Sequence, residues 1–340
     1  MEGDLVRRES TLPFYAIDAA AVRGRGAGAL LRNLLRLMRG IVQAIALLRR
    51  ERPEAVFGTG GYVCVPLFVA AWFLRIPRAI YLPDVVPGLA VRLLSRLATV
   101  TLGSIPDAAP YLGMTAVDAA AWSGDVRQLA VAGYPVRLTI HPDAGRQLRQ
   151  QLAIADDELL IVIYGGSRGA RSINYGVLPF LSHMLTMAHV LHVCGREGDE
   201  DELRRQHAQR AANVQQRYHL FAYLAADGVV TMTAALAAAD ITICRSGASV
   251  LGELPAAQVP AILVPYPYVH QDENADYLVR HGAAIKVSDA RIADDLLPTL
   301  TTLVTTPTIR QSMQMAMANL ARPQAADAMA HLLQRIARRR

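Results

Sequence analysis

Short apolar runs alternate with longer segments of helical periodicity along most of the chain. An uninterrupted apolar run is typical of a strand buried on both faces, and apolar residues at i, i+3 and i+4 are typical of a covering helix. The predicted strands span residues 53–58, 78–82, 98–103, 159–165, 189–195, 240–245, 260–265 and 283–287. This order predicts an α/β fold built of doubly wound parallel sheets.

One interruption of this rhythm divides the chain into two halves. Between residues 131 and 158 an X-Pro turn, a polar helix and an acidic segment follow one another. We therefore expect an N-terminal domain over 1–138 and a C-terminal domain over 139–322. A further helix over 323–340 begins at Pro323, and its return to the first domain is one option.

Residues 23–50 predict an amphipathic helix with apolar residues on one side and arginines on the other. The apolar side comprises Leu30, Leu34, Leu37, Ile41, Ile45 and Leu48. A helix that covers the sheet and exposes a solvated arginine face is the simpler interpretation. Attraction of the arginines to anionic lipid headgroups is the functional alternative, and both can hold together.

Composition narrows the class of protein. Hydrophobic residues make up 52% and charged residues 19% of the 340 positions, which excludes a disordered chain. The three scattered cysteines indicate neither a disulfide framework nor a zinc site. The apolar runs are too short to span a bilayer, and the charged first residues do not resemble a signal peptide. A net charge of +6 favours an anionic partner, but no motif points to nucleic acid.

Glycine-rich segments follow three of the predicted strands, and we call them glycine segments 1, 2 and 3. In order, they contain Gly58, Thr59, Gly60, Gly61 and Tyr62; Gly165, Gly166, Ser167 and Gly169; and Ser246, Gly247, Ala248 and Ser249. Glycine permits tight turns and close backbone approach to a ligand, and parallel sheets bind ligands at the carboxyl ends of their strands. The segments therefore predict phosphate sites in both halves, although none has the lysine of a P-loop. Three purely structural turns are the alternative.

Polar residues near these segments add candidate chemistry. Glu253 lies on the helix after glycine segment 3, where a carboxylate can accept ribose hydroxyls; a solvated helix face is the alternative. His270 and Gln271 open the next helix and offer hydrogen bonds to sugar hydroxyls, or simply form a polar helix start. Asp84 follows a strand and is either a candidate for a general base or a turn residue.

Several motifs in this order resemble the MurG family, the N-acetylglucosaminyltransferases of peptidoglycan synthesis. They are "GTGGYVCVP", "VPGLAVRLLSRLA", "GGSRGARSIN", "CRSGASVLGELPAAQVPAILVP" and "HQDENA". The resemblance implies a GT-B fold, in which two Rossmann-like domains face each other across a cleft. It also implies inverting transfer of GlcNAc from UDP-GlcNAc to undecaprenyl-diphospho-MurNAc-pentapeptide, which converts lipid I to lipid II without a cofactor or an obligatory metal. Such an enzyme works peripherally at the cytoplasmic face of the membrane and serves cell-wall biogenesis, cell shape and cell division in the cell cycle.

The resemblance also implies roles for individual residues. Arg171 would lie near the donor diphosphate, Glu253 on the ribose hydroxyls and Gln271 on the GlcNAc hydroxyls. Glycine segment 2 would form the donor loop, and glycine segment 1 would face the acceptor diphosphate. The remaining implied donor contacts are Tyr134, Cys194, Val229, Ser246, Gly247, Ala248, Ser249, Val250, Leu251, Gly252 and His270.

Some features depart from the family pattern. The family begins with a βα unit whose glycine loop ends in the candidate catalytic histidine, and "MEGDLVRRESTLPFYAI" matches only the family's segment after that unit. The resemblance therefore leaves the general base unassigned and predicts that this chain alone transfers GlcNAc poorly. A UDP-sugar-binding subunit or regulator that needs the missing unit from a partner is the alternative, and a nucleic-acid binder is a further one that rests on the net charge alone.

Overall fold

The computed structural model describes residues 3, 6, 7, 10–20, 27–136, 140–166, 169–196, 198–209, 215–225, 228 and 230–338. The chain divides into two compact units. Unit 1 comprises residues 1–132 and 327–340, and unit 2 comprises residues 133–326. The predicted junction between residues 138 and 139 lies within 137–139, outside the described residues, so the domain limits stay a prediction.

Unit 1 contains a five-stranded parallel sheet in the order β1-β2-β3-β5-β4. Its strands are β1 (Val56–Gly58), β2 (Arg78–Leu82), β3 (Val100–Gly103), β4 (Thr115–Asp118) and β5 (Gln128–Val131). Three α-helices that the structure describes over 27–94 are α1 (Ala27–Glu51), α2 (Cys64–Phe73) and α3 (Leu89–Leu94). The apolar core of one sheet face includes Ala44, Leu48, Phe68, Ile80 and Leu129.

Helix α1 covers this core with only its C-terminal half. Ala44 and Leu48 are buried, whereas Leu30 and Leu34 are 45% and 46% exposed. The sheet-covering interpretation therefore holds for the later turns of α1 but not for Leu30 and Leu34, which the sequence analysis placed on the same apolar side. The helix is long enough to extend past the core that buries its later residues.

Unit 2 contains a six-stranded parallel sheet in the order β11-β10-β9-β6-β7-β8. Its strands are β6 (Leu160–Tyr164), β7 (His189–Val193), β8 (Tyr218–Phe221), β9 (Ile241–Cys244), β10 (Ala261–Leu263) and β11 (Ala284–Lys286). The side chains of β6, β7 and β9 are buried along their whole length, because helices cover both sheet faces.

The described α-helices of unit 2 lie mostly between these parallel strands, although one precedes the first strand and two follow the last. They are α4 (Pro142–Gln151), α5 (Arg171–Val177), α6 (Leu181–Met187), α7 (Glu200–Ala208), α8 (Met232–Ala238), α9 (Val250–Ala257), α10 (Asp272–Arg280), α11 (Ile292–Thr305) and α12 (Pro307–Leu320). Helix α13 (Ala325–Ala337) follows, and its Met329, Leu332 and Ile336 lie in the second apolar cluster of unit 1 beside Trp122. The Arg335 guanidinium also donates to the Trp122 carbonyl at 2.6 Å.

The predicted fold class is confirmed, since all eight predicted strand regions contain a strand and both sheets are parallel. The pattern missed β4, β5 and β8. Strand β4 is mostly exposed, and β8 alternates buried and half-buried residues, so neither forms an apolar run. In the described part of the chain, no helix combines the length and the apolar character needed to cross a membrane.

A histidine pair joins the amino-terminal end of β7 to β8. The rings of His189 and His219 stack with 5.6 Å between centroids, and His189 Nε2 lies 3.2 Å from a Glu158 carboxylate oxygen. Burial, together with the nearby His189 and His207, lowers the pKa of His219 to about 4. The neutral form is therefore the one that the fold stabilises.

We expect acid to destabilise the protein partly through His219. The pKa of His219 falls from 6.5 to about 4 on folding, so below pH 6.5 the unfolded chain binds a proton that the folded protein does not. The free energy of unfolding is therefore unaffected by His219 above pH 6.5 and decreases as the pH drops toward 4. Urea unfolding across this range should show a smaller loss of stability for His219→Gln than for the unmodified protein. The exposed His141→Gln variant should behave like the unmodified protein, and equal acid sensitivity of all three would contradict the assignment.

Candidate functional site

The carboxyl ends of three neighbouring strands define the candidate site in unit 2. Tyr164 of β6 pairs in register with Val193 of β7 on one side and with Cys244 of β9 on the other. The loops after these strands therefore begin side by side. Strand order reverses at β6, and such a switch point is where open parallel sheets bind ligands.

Glycine segment 2 makes a turn that only glycine allows at two positions. Gly166 and Gly169 have φ angles of +92° and +85°, in the left-handed region. A Cβ atom on Gly169 would also collide with the carbonyl oxygen of Cys194, in the loop after β7. The segment is thus pressed against that loop, while Ser167 lies outside the described residues.

Arg171 and Cys194 flank this turn and differ sharply in exposure. The Arg171 side chain is 80% exposed, and its Nε lies 3.7 Å from Asp199 Oδ1. Cys194 is buried, and its thiol donates to the Phe221 carbonyl at 3.4 Å. Burial raises the pKa of the Cys194 thiol to about 11. Arg171 is therefore available to an anion, whereas the Cys194 side chain packs inward and its predicted donor contact is untested.

Glycine segment 3 is pinned to the start of α10. The fully buried Ser246 hydroxyl donates to the Gln271 carbonyl at 2.8 Å, and the Asn274 amide donates to the Ser246 carbonyl at 3.0 Å. Gln271 Oε1 accepts from the Tyr266 N–H at 2.9 Å. The predicted donor residues Ser246 and Gln271 thus also shape the site. His270 is exposed and lies within 3.5 Å of Glu273.

Helix α9 brings Glu253 beside glycine segment 3. Desolvation raises the pKa of Glu253, and a hydrogen bond with Ser249 partly opposes this shift. Tyr134 packs against the same helix, because a Cβ on Gly252 would lie 2.7 Å from Tyr134 Cβ. Gly247, Ala248 and Ser249 are half-buried, whereas the neighbouring Val250 and Leu251 are buried in the interior.

A cavity of about 300 Å³ opens between these elements in unit 2. Glu253, Ser249 and Gly166 supply its polar part and its glycine edge. The other lining residues are Tyr164, Val193, Tyr223, Leu224 and Met232. Sequence reasoning missed these apolar residues. The donor contact that the resemblance implied at Val229 lies outside the described residues, between Leu224 and Met232 in the sequence.

Arg245 is a second feature that sequence reasoning missed, although it directly precedes glycine segment 3. Its guanidinium donates to Asp289 and Ser172, and it reaches the Val264 carbonyl at 3.1 Å. Ser172 in turn donates to Asp289 at 2.7 Å. This mostly buried arginine therefore ties the start of α5 to the carboxyl ends of β9 and β10.

Glycine segment 1 lies at the carboxyl end of β1 in unit 1. Gly60 and Gly61 have φ angles of +96° and +78°, and Gly58 leaves no room for a side chain beside Phe68. The Cys64 thiol donates to the Gly60 carbonyl at 2.8 Å, which fixes the turn to the start of α2. Thr59 and Tyr62 are exposed, and the half-buried Asp84 follows the neighbouring strand β2. The turn therefore requires glycine at positions 58, 60 and 61 for packing and backbone conformation. The role of glycine segment 1 in binding the acceptor stays a prediction.

The contact between Gly169 and Cys194 yields a stability prediction. Gly169→Ala should destabilise the protein by about 1–2 kcal/mol for the left-handed backbone and by about 1–3 kcal/mol more for the collision. Gly282→Ala is a matched control, because Gly282 also has a positive φ of +70° but has open space around it. Urea unfolding should rank Gly169→Ala well below Gly282→Ala. Equal losses would contradict the close approach.

Comparison with known proteins places this geometry in a family. Residues 160–332 match the glycosyltransferase family 28 C-terminal domain, and residues 2–102 match the glycosyltransferase family 28 N-terminal domain. A "UDP-N-acetylglucosamine--N-acetylmuramyl-(pentapeptide) pyrophosphoryl-undecaprenol N-acetylglucosamine transferase" of Roseiflexus sp. (strain RS-1) is 48% identical over 100% of this chain and 82% of its own length. The protein of the same name from Desulforudis audaxviator (strain MP104C) is 34% identical over 99% of this chain and 88% of its own length.

Solved structures agree at the level of the fold. The crystal structure of Acinetobacter baumannii MurG matches with a TM-score of 0.71 at 24% identity, covering 98% of this chain and 88% of that one. The UDP-GlcNAc 2-epimerase of Neisseria meningitidis, bound to UDP-GlcNAc, matches with a TM-score of 0.59 at 14% identity, covering 88% and 81%. From the whole-length sequence relationship and the two family models, the chain belongs to the MurG family of glycosyltransferases, within glycosyltransferase family 28.

Proposed function

We propose that this protein transfers GlcNAc from UDP-GlcNAc to undecaprenyl-diphospho-MurNAc-pentapeptide, the step from lipid I to lipid II in peptidoglycan synthesis. The observation that carries the proposal is 48% identity, over the whole chain, to a relative named for this reaction. The turn, cavity and carboxylate at the switch point of the second sheet supply what a nucleotide sugar requires. No observation favours the alternative of an inactive binding subunit.

The donor fits the chemistry of the site in unit 2. Glu253 at the cavity wall accepts hydrogen bonds from the ribose hydroxyls, and the apolar lining near Leu224 and Met232 packs against the uracil base. Arg171 and the backbone of glycine segments 2 and 3 face the diphosphate. Gln271 reaches the GlcNAc hydroxyls through its amide nitrogen, because its amide oxygen is taken by the Tyr266 N–H.

The chemistry asks the protein mainly to stabilise negative charge. The acceptor 4-hydroxyl attacks C1 of GlcNAc from the face opposite UDP, so configuration inverts and charge develops on the departing diphosphate. Backbone N–H groups and the Arg171 guanidinium stabilise that charge without rearranging during the reaction. A general base must take the hydroxyl proton, and Asp84 at the end of β2 remains our candidate in this chain.

The first turns of α1 suit a lipid surface that presents the acceptor. Six apolar side chains there are between 45% and 65% exposed: Leu30, Leu31, Leu34, Leu35, Met38 and Val42. Arg32, Arg36 and Arg39 are exposed on the same stretch. Exposed apolar residues interleaved with cations are typical of interfacial helices, so we propose peripheral attachment to the anionic cytoplasmic face of the membrane.

A direct assay tests the proposed reaction. Labelled UDP-GlcNAc and a lipid I analogue should yield the labelled disaccharide-lipid product and free UDP, and the rate of transfer tests the expectation that this chain alone transfers GlcNAc poorly. Omission of the acceptor should abolish product formation. Tight binding of UDP-GlcNAc without transfer to the analogue would contradict the proposed reaction and would favour the binding-subunit alternative.

Glu253 should govern donor affinity and its dependence on pH. Loss of a charged hydrogen-bond acceptor in Glu253→Ala should weaken UDP binding by about 1.5–3 kcal/mol. Because burial raises the pKa of Glu253, affinity should fall on acidification at a higher pH than an ordinary glutamate would give. Calorimetry of Glu253→Gln should show weak UDP binding that does not fall further on acidification, because glutamine does not titrate. Unchanged affinity for both variants would remove Glu253 from the site.

Vesicle binding should depend on α1. Sedimentation with anionic vesicles should be strong at low salt and should weaken as salt screens the arginines. Leu35→Gln should reduce binding, because it removes apolar contact from a side chain that is 61% exposed. Met315→Gln, at a 63% exposed position of α12, is the matched control and should bind like the unmodified protein. Equal loss in both variants would argue against α1 as the contact.

A further inference from the structure

A buried chain of polar side chains runs beneath the donor loops of unit 2. His192, Asn174 and Asp199 are 0%, 1% and 8% exposed, and the proposed chemistry uses none of them. The chain begins at the Tyr218 hydroxyl, 2.8 Å from His192 Nδ1, and continues from His192 Nε2 to Asn174 Oδ1 at 3.0 Å. The Asn174 amide nitrogen then reaches Asp199 Oδ2 at 2.8 Å.

The direction of every hydrogen bond in this chain is determined. The Asn174 amide nitrogen must donate, because it faces two acceptors, the Asp199 carboxylate and the Cys194 carbonyl at 2.8 Å. Asn174 Oδ1 then accepts, so His192 carries its proton on Nε2, and its Nδ1 accepts from Tyr218. Burial lowers the pKa of His192 to about 3, so it stays neutral. A chain with its hydrogen bonds satisfied in one direction holds Asp199 in one orientation.

The far oxygen of Asp199 points to a residue of the proposed donor site. Oδ2 is held by Asn174, and Oδ1 lies 3.7 Å from Arg171 Nε. The Arg171 guanidinium also lies over the Tyr175 ring, 5.2 Å from its centroid. An arginine that is 80% exposed would otherwise sample many rotamers and would lose that freedom on binding an anion.

We propose that Asp199 is a positioning residue, which the buried chain from Tyr218 through His192 and Asn174 orients so that it holds Arg171 toward the donor diphosphate. This inference rests on the proposed function, because it assigns the anion as the diphosphate of a uridine nucleotide. Asp199 does not contact the ligand itself. It lowers the ordering cost of binding through Arg171.

If Asp199 acted only through its charge, its removal would change UDP affinity in the direction opposite to that expected for a positioning residue. This difference makes the inference testable. A carboxylate near an anion site repels the anion, so its removal in Asp199→Asn would tighten UDP binding if charge were the whole effect. If Asp199 positions Arg171, the same variant weakens UDP binding by about fivefold, the worth of a modest ion pair. Uridine lacks the diphosphate, so its affinity should not change.

Titration calorimetry of the full chain with UDP and with uridine should use the unmodified protein, Asp199→Asn, Arg171→Ala and the double variant. We expect Asp199→Asn to weaken the binding of UDP but not of uridine. In the Arg171→Ala background it should cause no further loss of UDP affinity. Tighter or unchanged UDP binding, an equal loss for uridine, or an independent loss in that background would each overturn the inference. Absence of UDP binding by the unmodified protein would instead overturn the proposed function on which it rests.

Two further variants guard against misfolding and nonspecific charge effects. Arg171→Lys changes an exposed side chain, keeps its charge and loses the Nε–H that faces Asp199. It should bind UDP about as weakly as Asp199→Asn, and affinity equal to that of the unmodified protein would overturn the inference. Glu202→Gln makes the same acid-to-amide change in the first turn of α7, where Glu202 pairs with Arg205, and should leave UDP affinity unchanged.

Discussion

The parallel register of β6 with β7 and β9 is the constraint on which the candidate site depends. Tyr164, Val193 and Cys244 stand at one level of the sheet, so the three loops after them begin as neighbours. Two of these loops touch so closely that only glycine fits at position 169. The Asn174 amide clamps the Cys194 carbonyl at that contact, and Arg245 ties the third loop to the start of α5. Position and rigidity of the loops thus come from the sheet and from buried polar side chains.

This construction separates the residues that we propose contact the donor from the residues that hold the loops in place. Glu253 lines the cavity and Arg171 is exposed to solvent. Ser246, Asn274 and Arg245 instead make their hydrogen bonds to other residues of the protein. Gln271 combines a proposed donor contact with a structural role, because its amide oxygen accepts from the Tyr266 N–H and its amide nitrogen lies beside Gly247. Variants of the holding residues should therefore alter geometry rather than remove a single contact.

Sequence alone predicted the fold class, the strands that form uninterrupted apolar runs, and the three glycine segments. The linear pattern singled out Glu253 on the helix after glycine segment 3, and the resemblance to the MurG family implied Arg171; the ligand roles of both stay predictions. It could not predict the cavity lining, since Tyr164, Tyr223 and Met232 come from separate strands and loops that only the sheet brings together. Asn174 and Asp199 were missed for the same reason, because each is unremarkable until the other lies 2.8 Å away. In helix α1 the sequence pattern predicted more burial than the structure shows, because the apolar periodicity continues into the first turns while the core covers only the later ones.

Hydrogen exchange with and without UDP-GlcNAc tests the central claim most directly, namely that the loops after β6 and β9 hold the donor. Ordered N–H groups that bind a diphosphate lose access to solvent exchange. We expect donor-dependent protection in peptides that cover 165–171 and 246–253, with no change in peptides of unit 1 that cover 115–131. Protection confined to other regions, at a donor concentration that saturates binding, would contradict this placement of the donor site.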